Sequence, residues 1–456
     1  MGTEYHFAET ANYKGKVTLD YLSDINYTLW HNKLPTLDYC QLTNDTETDW
    51  HLVKISLQGE LVNDSEAMLE VVPCGKTMQT KELKLAVDAS KLITYTEGIE
   101  TTFTLNITID SEEVFSQEFS LHIMPFDHWL GIGVLPELLC SFVTPNHPLL
   151  SKVRVQAAQF MQQWTTDASL DGYQSKDPNR VRLQVAAIYE SLRSESIVYS
   201  NPPAGFERTG QRVRLMDQVL NEKLGTCLDL SLLLASCLEA SDIHPLLIIT
   251  KGHIFVGVWL VKSVYSQIVG DDASYLLKGC ADGINEMVVV EATCLTSSYS
   301  VSFDDAVQRA LVQLKETDNF ELFLDVVRCR LDNIRPLPQR IFSNGKFIIK
   351  SDGVTHEQAT KTVSQLDRFA IDLTHSPEIK TKQTIWERKL LDLSLRNNLI
   401  NLRLGRRVIP FISFEIDHLE DYLQAGDNFQ ILSSPTKTKL EPTDLGIYDS
   451  SIYKTD

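Results

Sequence analysis

The segment Gly225-Thr226-Cys227-Leu228-Asp229-Leu230, continuing through Ser231-Leu232-Leu233-Leu234-Ala235-Ser236-Cys237-Leu238-Glu239-Ala240, constrains this chain more than any other. It reads as a tight turn, a cysteine at the first turn of a helix, and a helix apolar on almost every face. Such a helix has no solvent side and lies inside a domain with other elements packed around it. A cysteine in an apolar helix is ordinarily an inert core residue, and Cys237 fits that reading. Cys227 differs. At a helix start, unpaired N–H groups and the positive end of the helix dipole stabilise a thiolate, the nucleophilic form.

Two partners follow. Lys251-Gly252-His253-Ile254-Phe255-Val256-Gly257-Val258-Trp259 is a strand-like run with a histidine near its start, and Met287-Val288-Val289-Val290-Glu291-Ala292-Thr293 is an apolar strand ending in a carboxylate. The order is cysteine on a helix start, histidine on a strand, acid on a later strand. This is the logic of a thiol nucleophile, a base that takes its proton, and a carboxylate that orients the base. The plainer alternative for His253 is a core histidine bonded to a backbone carbonyl. Glu291 is one methylene longer than Asp, which shifts its carboxylate. Asp229 reads as a near-site acid bonding local N–H groups. Gln211 and Gln218 are upstream candidates for an oxyanion contact, beside the backbone N–H of Cys227.

The order and settings of Cys227, His253 and Glu291 resemble the transglutaminase-like branch of the papain-type cysteine peptidase fold. The longer string Gln211-Arg212-Val213-Arg214, the Gly225–Leu230 run and Gly252–Trp259 are similar to the N-terminal region of a family of large bacterial helicase-related proteins. That region is catalogued as a domain of unknown function. In some members it precedes a superfamily-one helicase and a Vsr-like nuclease, and these are associated with anti-phage defence. The string Leu391-Asp392-Leu393-Ser394-Leu395-Arg396-Asn397-Asn398-Leu399-Ile400-Asn401 resembles the same region, where it precedes the motor. The resemblance implies a Cys227–His253–Glu291 acyl-transfer site, a protein or peptide substrate, and a helicase or nuclease module in the same longer protein or operon. A regulatory module without chemistry and a structural scaffold are the alternatives.

The fold class expected is α+β: an N-terminal antiparallel β-sandwich of immunoglobulin-like type, a transglutaminase-like core and a C-terminal helical segment. Residues 1–127 read as β. Phe103, Leu105, Ile107 and Ile109 alternate with polar residues, as do Phe119, Leu121 and Ile123; Leu52–Leu57, Glu82–Val87 and Ile25–Trp30 are further strand candidates, with Trp30 in the core. Residues 128–335 form the core unit. A helix begins near Pro148, and Asp177-Pro178 caps another whose apolar face is Val181, Val185, Ile188 and Leu192. A short helix spans 217–223. The strands are Leu246–Ile249, Ile254–Leu260 and Met287–Val290; a polar surface insertion around Gly270-Asp271-Asp272-Ala273 lengthens the gap from His253 to Glu291, and Phe303–Leu314 and Phe320–Arg330 read as helices. Helices first, then an antiparallel sheet packed on the central helix, is the expected layout. Residues 336–380 are a linker with the β-like Lys346–Lys350, and residues 381–456 an amphipathic helix from Trp386 followed by a polar tail.

Composition narrows the functions. The net charge of −19 argues against a nucleic-acid-binding bulk surface. Arg396, Arg403, Arg406 and Arg407 read as a solvated or interdomain face, with nucleic-acid contact as the alternative. The eight cysteines form no C-x-x-C pair, so neither a zinc ribbon nor a disulfide framework is signalled. No EF-hand spacing appears, and no cofactor or metal is expected. Gly75-Lys76-Thr77 imitates a phosphate loop, but Glu70 stands where that motif needs its first glycine. No Walker motif appears, so the chain either ends before a motor or lacks one. No apolar run reaches a membrane span and no signal-peptide pattern opens the chain, so a cytoplasmic, membrane-free protein is expected.

Overall fold

The computed structural model describes residues 3–6, 13–297, 301–343, 345–350, 378–379, 411–413, 430–432 and 444–447. Contacts divide the chain into two units, residues 1–380 and 381–456. It is a mixed α+β protein rich in antiparallel sheet.

The first unit opens with nine strands: β1 (Thr3–His6), β2 (Gly15–Tyr21), β3 (Asp24–Ile25), β4 (Leu37–Asn44), β5 (Trp50–Gln58), β6 (Ser65–Val72), β7 (Thr77–Thr80), β8 (Ile99–Ile109) and β9 (Glu112–Ile123). One sheet has the order β1-β2-β4-β7, the other β3-β9-β8-β5-β6. All these pairings are antiparallel except the parallel β3–β9 pair. The period-2 pattern explains how they pack. Alternate residues Phe103, Leu105, Ile107 and Ile109 of β8 are buried, and they share one continuous core with Val17 and Leu19 of β2 and Leu42 of β4.

Two strand expectations fail here. Residues 26–30 do not continue β3. Asn26 Oδ1 accepts from the Leu29 N–H and caps a short helix, α1 (Tyr27–His31), which turns Trp30 outward to 47 % exposure. Residues 82–87 are extended but form no ladder beyond a single bridge, Val62 to Val87. Leu83, Leu85 and Val87 are buried because the segment lies across the core, which reproduces strand-like alternation without strand pairing. A second short helix, α2 (Ala89–Leu92), follows under the cap of Asp88.

The chain then forms β10 (His128–Trp129), α3 (Leu150–Thr165), α4 (Pro178–Arg193), β11 (Val198–Tyr199), α5 (Phe206–Thr209), β12 (Gln211–Arg212), α6 (Met216–Glu222), β13 (Leu224–Gly225) and α7 (Cys227–Glu239). Asp177 accepts from the Asn179 N–H at the start of α4, and Pro178 occupies the first turn, as the sequence signals. Every residue of α7 from Cys227 to Leu238 is buried. Two minimal ladders steer the chain into α7. β10 pairs antiparallel with β12, setting Trp129 opposite Gln211, and β11 pairs parallel with β13. Gly225 lies in β13 and has no left-handed backbone, so the tight turn expected there is replaced by a strand-to-helix step.

The remaining elements are β14 (Pro245–Thr250), β15 (His253–Trp259), β16 (Ser263–Val264), β17 (Val269–Gly270), α8 (Ala273–Gly279), β18 (Met287–Val290), α9 (Phe303–Lys315), β19 (Phe320–Asp325) and α10 (Val326–Leu331). Five form one antiparallel sheet in the order β17-β19-β14-β15-β18. α7 packs on β14 and β15, with Ser231 Oγ donating to the Ile254 carbonyl at 3.2 Å.

Two further expectations are corrected. Residues 320–330 are a strand followed by a helix. β19 returns beside β14, a long-range pairing that local periodicity does not reveal, and Asp325 then caps α10 by accepting from the Arg328 N–H. The stretch around residues 270–273 is not a polar surface insertion. β17 pairs with β19, and Asp272 caps α8, whose Tyr275 is buried against Tyr265 and Phe323. A hairpin of β20 (Arg340–Ser343) and β21 (Lys346–Ile349) follows.

In the second unit, strands Phe411–Ser413, Asp444–Ile447 and Gln430–Leu432 form a three-stranded sheet in that order, where the sequence suggested only a polar tail. The amphipathic helix expected from Trp386, the polar helix-like run before it, and Arg396, Arg403, Arg406 and Arg407 lie outside the described residues.

Gly210, just before β12, has φ +75°, and a Cβ there would stand 2.2 Å from the Trp129 carbonyl oxygen. Gly210→Ala is expected to destabilise the first unit by about 2 kcal/mol or more. Urea unfolding measures this, and an unchanged midpoint would contradict the tight β10–β12 contact.

Candidate active site

Cys227 occupies the first helical position of α7. The cap is reciprocal: Thr226 Oγ1 accepts from the Asp229 N–H at 3.3 Å, and Asp229 Oδ2 accepts from the Thr226 N–H at 2.9 Å. Asp229 Oδ1 also accepts from the Arg214 N–H at 2.9 Å, and its carboxylate pairs with the Arg214 guanidinium at 3.2 Å. Burial pushes the Asp229 carboxyl above its ordinary value, against the pull of these donors. The residue read as a local N–H acceptor thus ties the helix start to the 211–214 segment.

His253 is delivered by a hairpin. β14 and β15 are joined through Lys251-Gly252, Gly252 has φ +70°, and Thr250 pairs with His253. The imidazole begins the strand that packs on α7. Ser231, one helical turn after Cys227, bonds the Ile254 carbonyl, so the cysteine face of α7 meets the His253 end of β15. β18 runs beside β15 with Val290 opposite Val256. Continuing that register sets Glu291 opposite Phe255, diagonal to His253 on one sheet face.

The geometry follows. His253 Nε2 lies 2.8 Å from Glu291 Oε2. With Nε2 on Glu291, Nδ1 is the ring nitrogen left free for a second partner, and Cys227 acts on the ring's proton affinity. Glu291 is 2 % exposed and fully engaged. Its Oε1 accepts from the Thr293 N–H at 2.9 Å and Oγ1 at 2.7 Å, and its Oε2 also accepts from Gln313 Nε2 at 2.7 Å. Burial works against the His253 charge, yet hydrogen bonds to Cys227 and Glu291 and their charges win, raising the imidazole to about 10. Burial likewise opposes the Glu291 charge, but the bond to His253 and the Thr293 donors hold it below its ordinary value. Both partners point to an imidazolium–carboxylate pair.

The upstream glutamines are placed differently. Gln211 is 4 % exposed, and its Nε2 has no hydrogen-bond partner. It lines a cavity of about 430 Å³ with Thr226, Asn201, Arg212 and Arg214, beside the start of α7. Gln218 lines the same cavity, but its Oε1 accepts from the Leu215 N–H and caps α6. The Cys227 side chain itself is fully covered. Gln313, Thr293 and Arg214 were not singled out from sequence. Gln313 sits on the amphipathic helix α9 among other polar residues, and nothing local marks it.

Among the described residues no group of histidine, cysteine and acidic side chains is arranged to hold a metal ion. None of their helices is long and apolar enough to cross a membrane.

Residues 389–454 match a family described as a protein of unknown function (DUF4011), and the match contains the whole Leu391–Asn401 string. No curated protein matches the chain. A solved structure of a candidate protease from Parabacteroides distasonis is similar at 12 % identity and a TM-score of 0.16, over 48 % of this chain. The chain spans 42 % of the length of that protein.

A histidine that holds its proton more tightly in the folded chain stabilises the fold. The His253 contribution is complete below its ordinary value of 6.5 and is lost as pH rises through about 10. Glu291→Gln removes the charge that retains the proton, so this alkaline loss should shrink and move to lower pH. Urea unfolding across neutral to alkaline pH measures the effect. A profile identical to the parent chain would contradict the ion pair.

Proposed function

We propose that the chain carries a thiol acyl-transfer site of transglutaminase-like, papain-like type, with amide hydrolysis as its reaction. The observation that carries this reading is the His253–Glu291 pair, 2.8 Å apart, with His253 on the strand that packs against the helix whose first residue is Cys227. In this reading Cys227 is the nucleophile, His253 the general acid and base, and Glu291 the residue that orients the imidazole.

The Cys227 sulfur attacks the carbonyl carbon of an amide, and the oxygen takes the negative charge. The Cys227 N–H at the helix start and the unpartnered Gln211 Nε2 are the donors suited to that oxygen. As the C–N bond breaks, the His253 imidazolium gives its proton to the leaving amine, leaving a thioester and a neutral imidazole. Water then loses a proton to His253 and attacks the thioester. The acid departs and the thiolate–imidazolium pair returns. An amine in place of water would complete a transamidation. Asp229 has a positioning role, and Gln218 acts through α6.

We place this core in residues 128–335, behind a sandwich at 1–127, with a linker at 336–380 and a helicase-associated segment at 381–456. The wider context we propose is the N-terminal part of a bacterial helicase-related, anti-phage defence protein. The motif resemblances support it, and the family matched at residues 389–454 covers the segment expected to adjoin the motor. Arg396, Arg403, Arg406 and Arg407 would form an interdomain face there, or a nucleic-acid contact.

A second reading, a partner-binding module without chemistry, is favoured by one observation: the Cys227 side chain is fully covered. Incubation of the chain with a mixed peptide library, read by mass spectrometry, separates the two. The enzyme reading expects new termini that vanish in Cys227→Ala and His253→Ala. Gln211→Leu should lower kcat by about 10²–10³-fold with little change in KM. Cleavage that persists in Cys227→Ala, or no cleavage at all, favours the binding module.

A further inference from the structure

A second cavity, of about 780 Å³, is lined mainly by the stretch from α1 to the start of β4 and the extended run before α2, and shares no residue with the thiol site. That is within the size range of ligand pockets. Its floor is apolar, from residues such as Leu37, Leu83, Leu85 and Val87. Its cations are Lys33, Lys81, Lys84 and Arg335, and no Asp or Glu lines it. They come from three separate stretches: the connection after α1, the extended run before α2, and the chain just after α10. None of the four has a carboxylate partner among the described residues. The Arg335 side chain is held by a hydrogen bond to the His31 carbonyl, and its backbone N–H donates to Asn32 Oδ1 at 2.7 Å. Arg335 is therefore a fixed part of the wall. His31 Nε2 lies 2.9 Å from the Pro336 carbonyl, which takes up its ring N–H, and burial lowers the imidazole's proton affinity, so it adds no charge at neutral pH. Trp30, 47 % exposed, stands in the same lining.

Four cations with no carboxylate partner among the described residues surround an apolar floor on a chain of net charge −19. An anionic occupant would complement them. A single-headed amphiphile brings one charge, and a nucleotide concentrates its charge at one end. Cations supplied by three separate stretches of the lining suit charges spread along a chain. An extended peptide presents alternate side chains to opposite faces, which matches an apolar floor beneath a charged rim.

We propose that this cavity binds an extended peptide segment of a partner protein in which acidic side chains alternate with apolar ones. The site is independent of the Cys227 chemistry.

The probe is a short fluorescein-labelled peptide of alternating glutamate and leucine, followed by polarisation with the full chain. Saturable binding that weakens with added salt is expected. The glutamine-for-glutamate peptide should bind about tenfold more weakly or worse, and Lys33→Glu combined with Lys84→Glu should cost a similar factor. Both lysines are exposed, so the double variant should keep the parent circular dichroism. Cys227→Ala should bind as the parent does, which separates this site from the acyl-transfer reading. The proposal is overturned by no binding, by equal affinity for the neutral peptide, or by insensitivity to charge reversal. Laurate binding more tightly than the peptide would overturn it in favour of a single-headed amphiphile.

Discussion

The arrangement of the thiol site depends on one buried carboxylate. Asp229 accepts from the N–H groups of Thr226 and Arg214 and pairs with the Arg214 guanidinium. Through these bonds a single side chain fixes the first turn of α7 and the segment that carries Gln211. Arg214 balances the buried Asp229 charge two residues from Cys227. The burial of Asp229 raises the cost of leaving any of its donors unmade.

The sheet supplies the other half. A two-residue hairpin places His253 at the head of β15, and β18 places Glu291 just past its own end. These positions are set by register, and register is set by buried faces: a slip of one residue would turn the apolar side chains of β15 the wrong way. Glu291 is held by Thr293 and Gln313 as well as by His253, so its carboxylate has little freedom. The glutamate's extra methylene is accommodated by bonds on both oxygens.

Much of this was legible in the sequence because it is local. The all-round apolar run of α7 requires burial, Asp177-Pro178 is a cap written within two residues, and Asp229 reads as an acid bonding local N–H groups. The alternation in β8 and β9 reads directly as a half-buried sheet. What escaped was long-range or ambiguous. The run Phe320–Asp325 becomes a strand only because β14 lies beside it. Residues 82–87 alternate because they lie over a core, without pairing. Asn26 could have ended a strand or capped a helix, and the capping bond decided it, exposing Trp30. Gln313 reaches Glu291 from a helix distant in sequence, and its local pattern carries no trace of that role.

The central proposal is that Cys227 is a nucleophile served by His253, and Cys237 provides a control within the same helix. Both are fully buried, and burial pushes the Cys237 thiol up. Site-resolved alkylation with a small haloacetamide at mildly acidic pH, read by mass spectrometry, compares them at equal cover. Faster modification of Cys227 than of Cys237, lost by about tenfold or more in His253→Ala, is the predicted result. Equal reactivity of the two cysteines, or a rate unchanged by removing His253, would contradict the account.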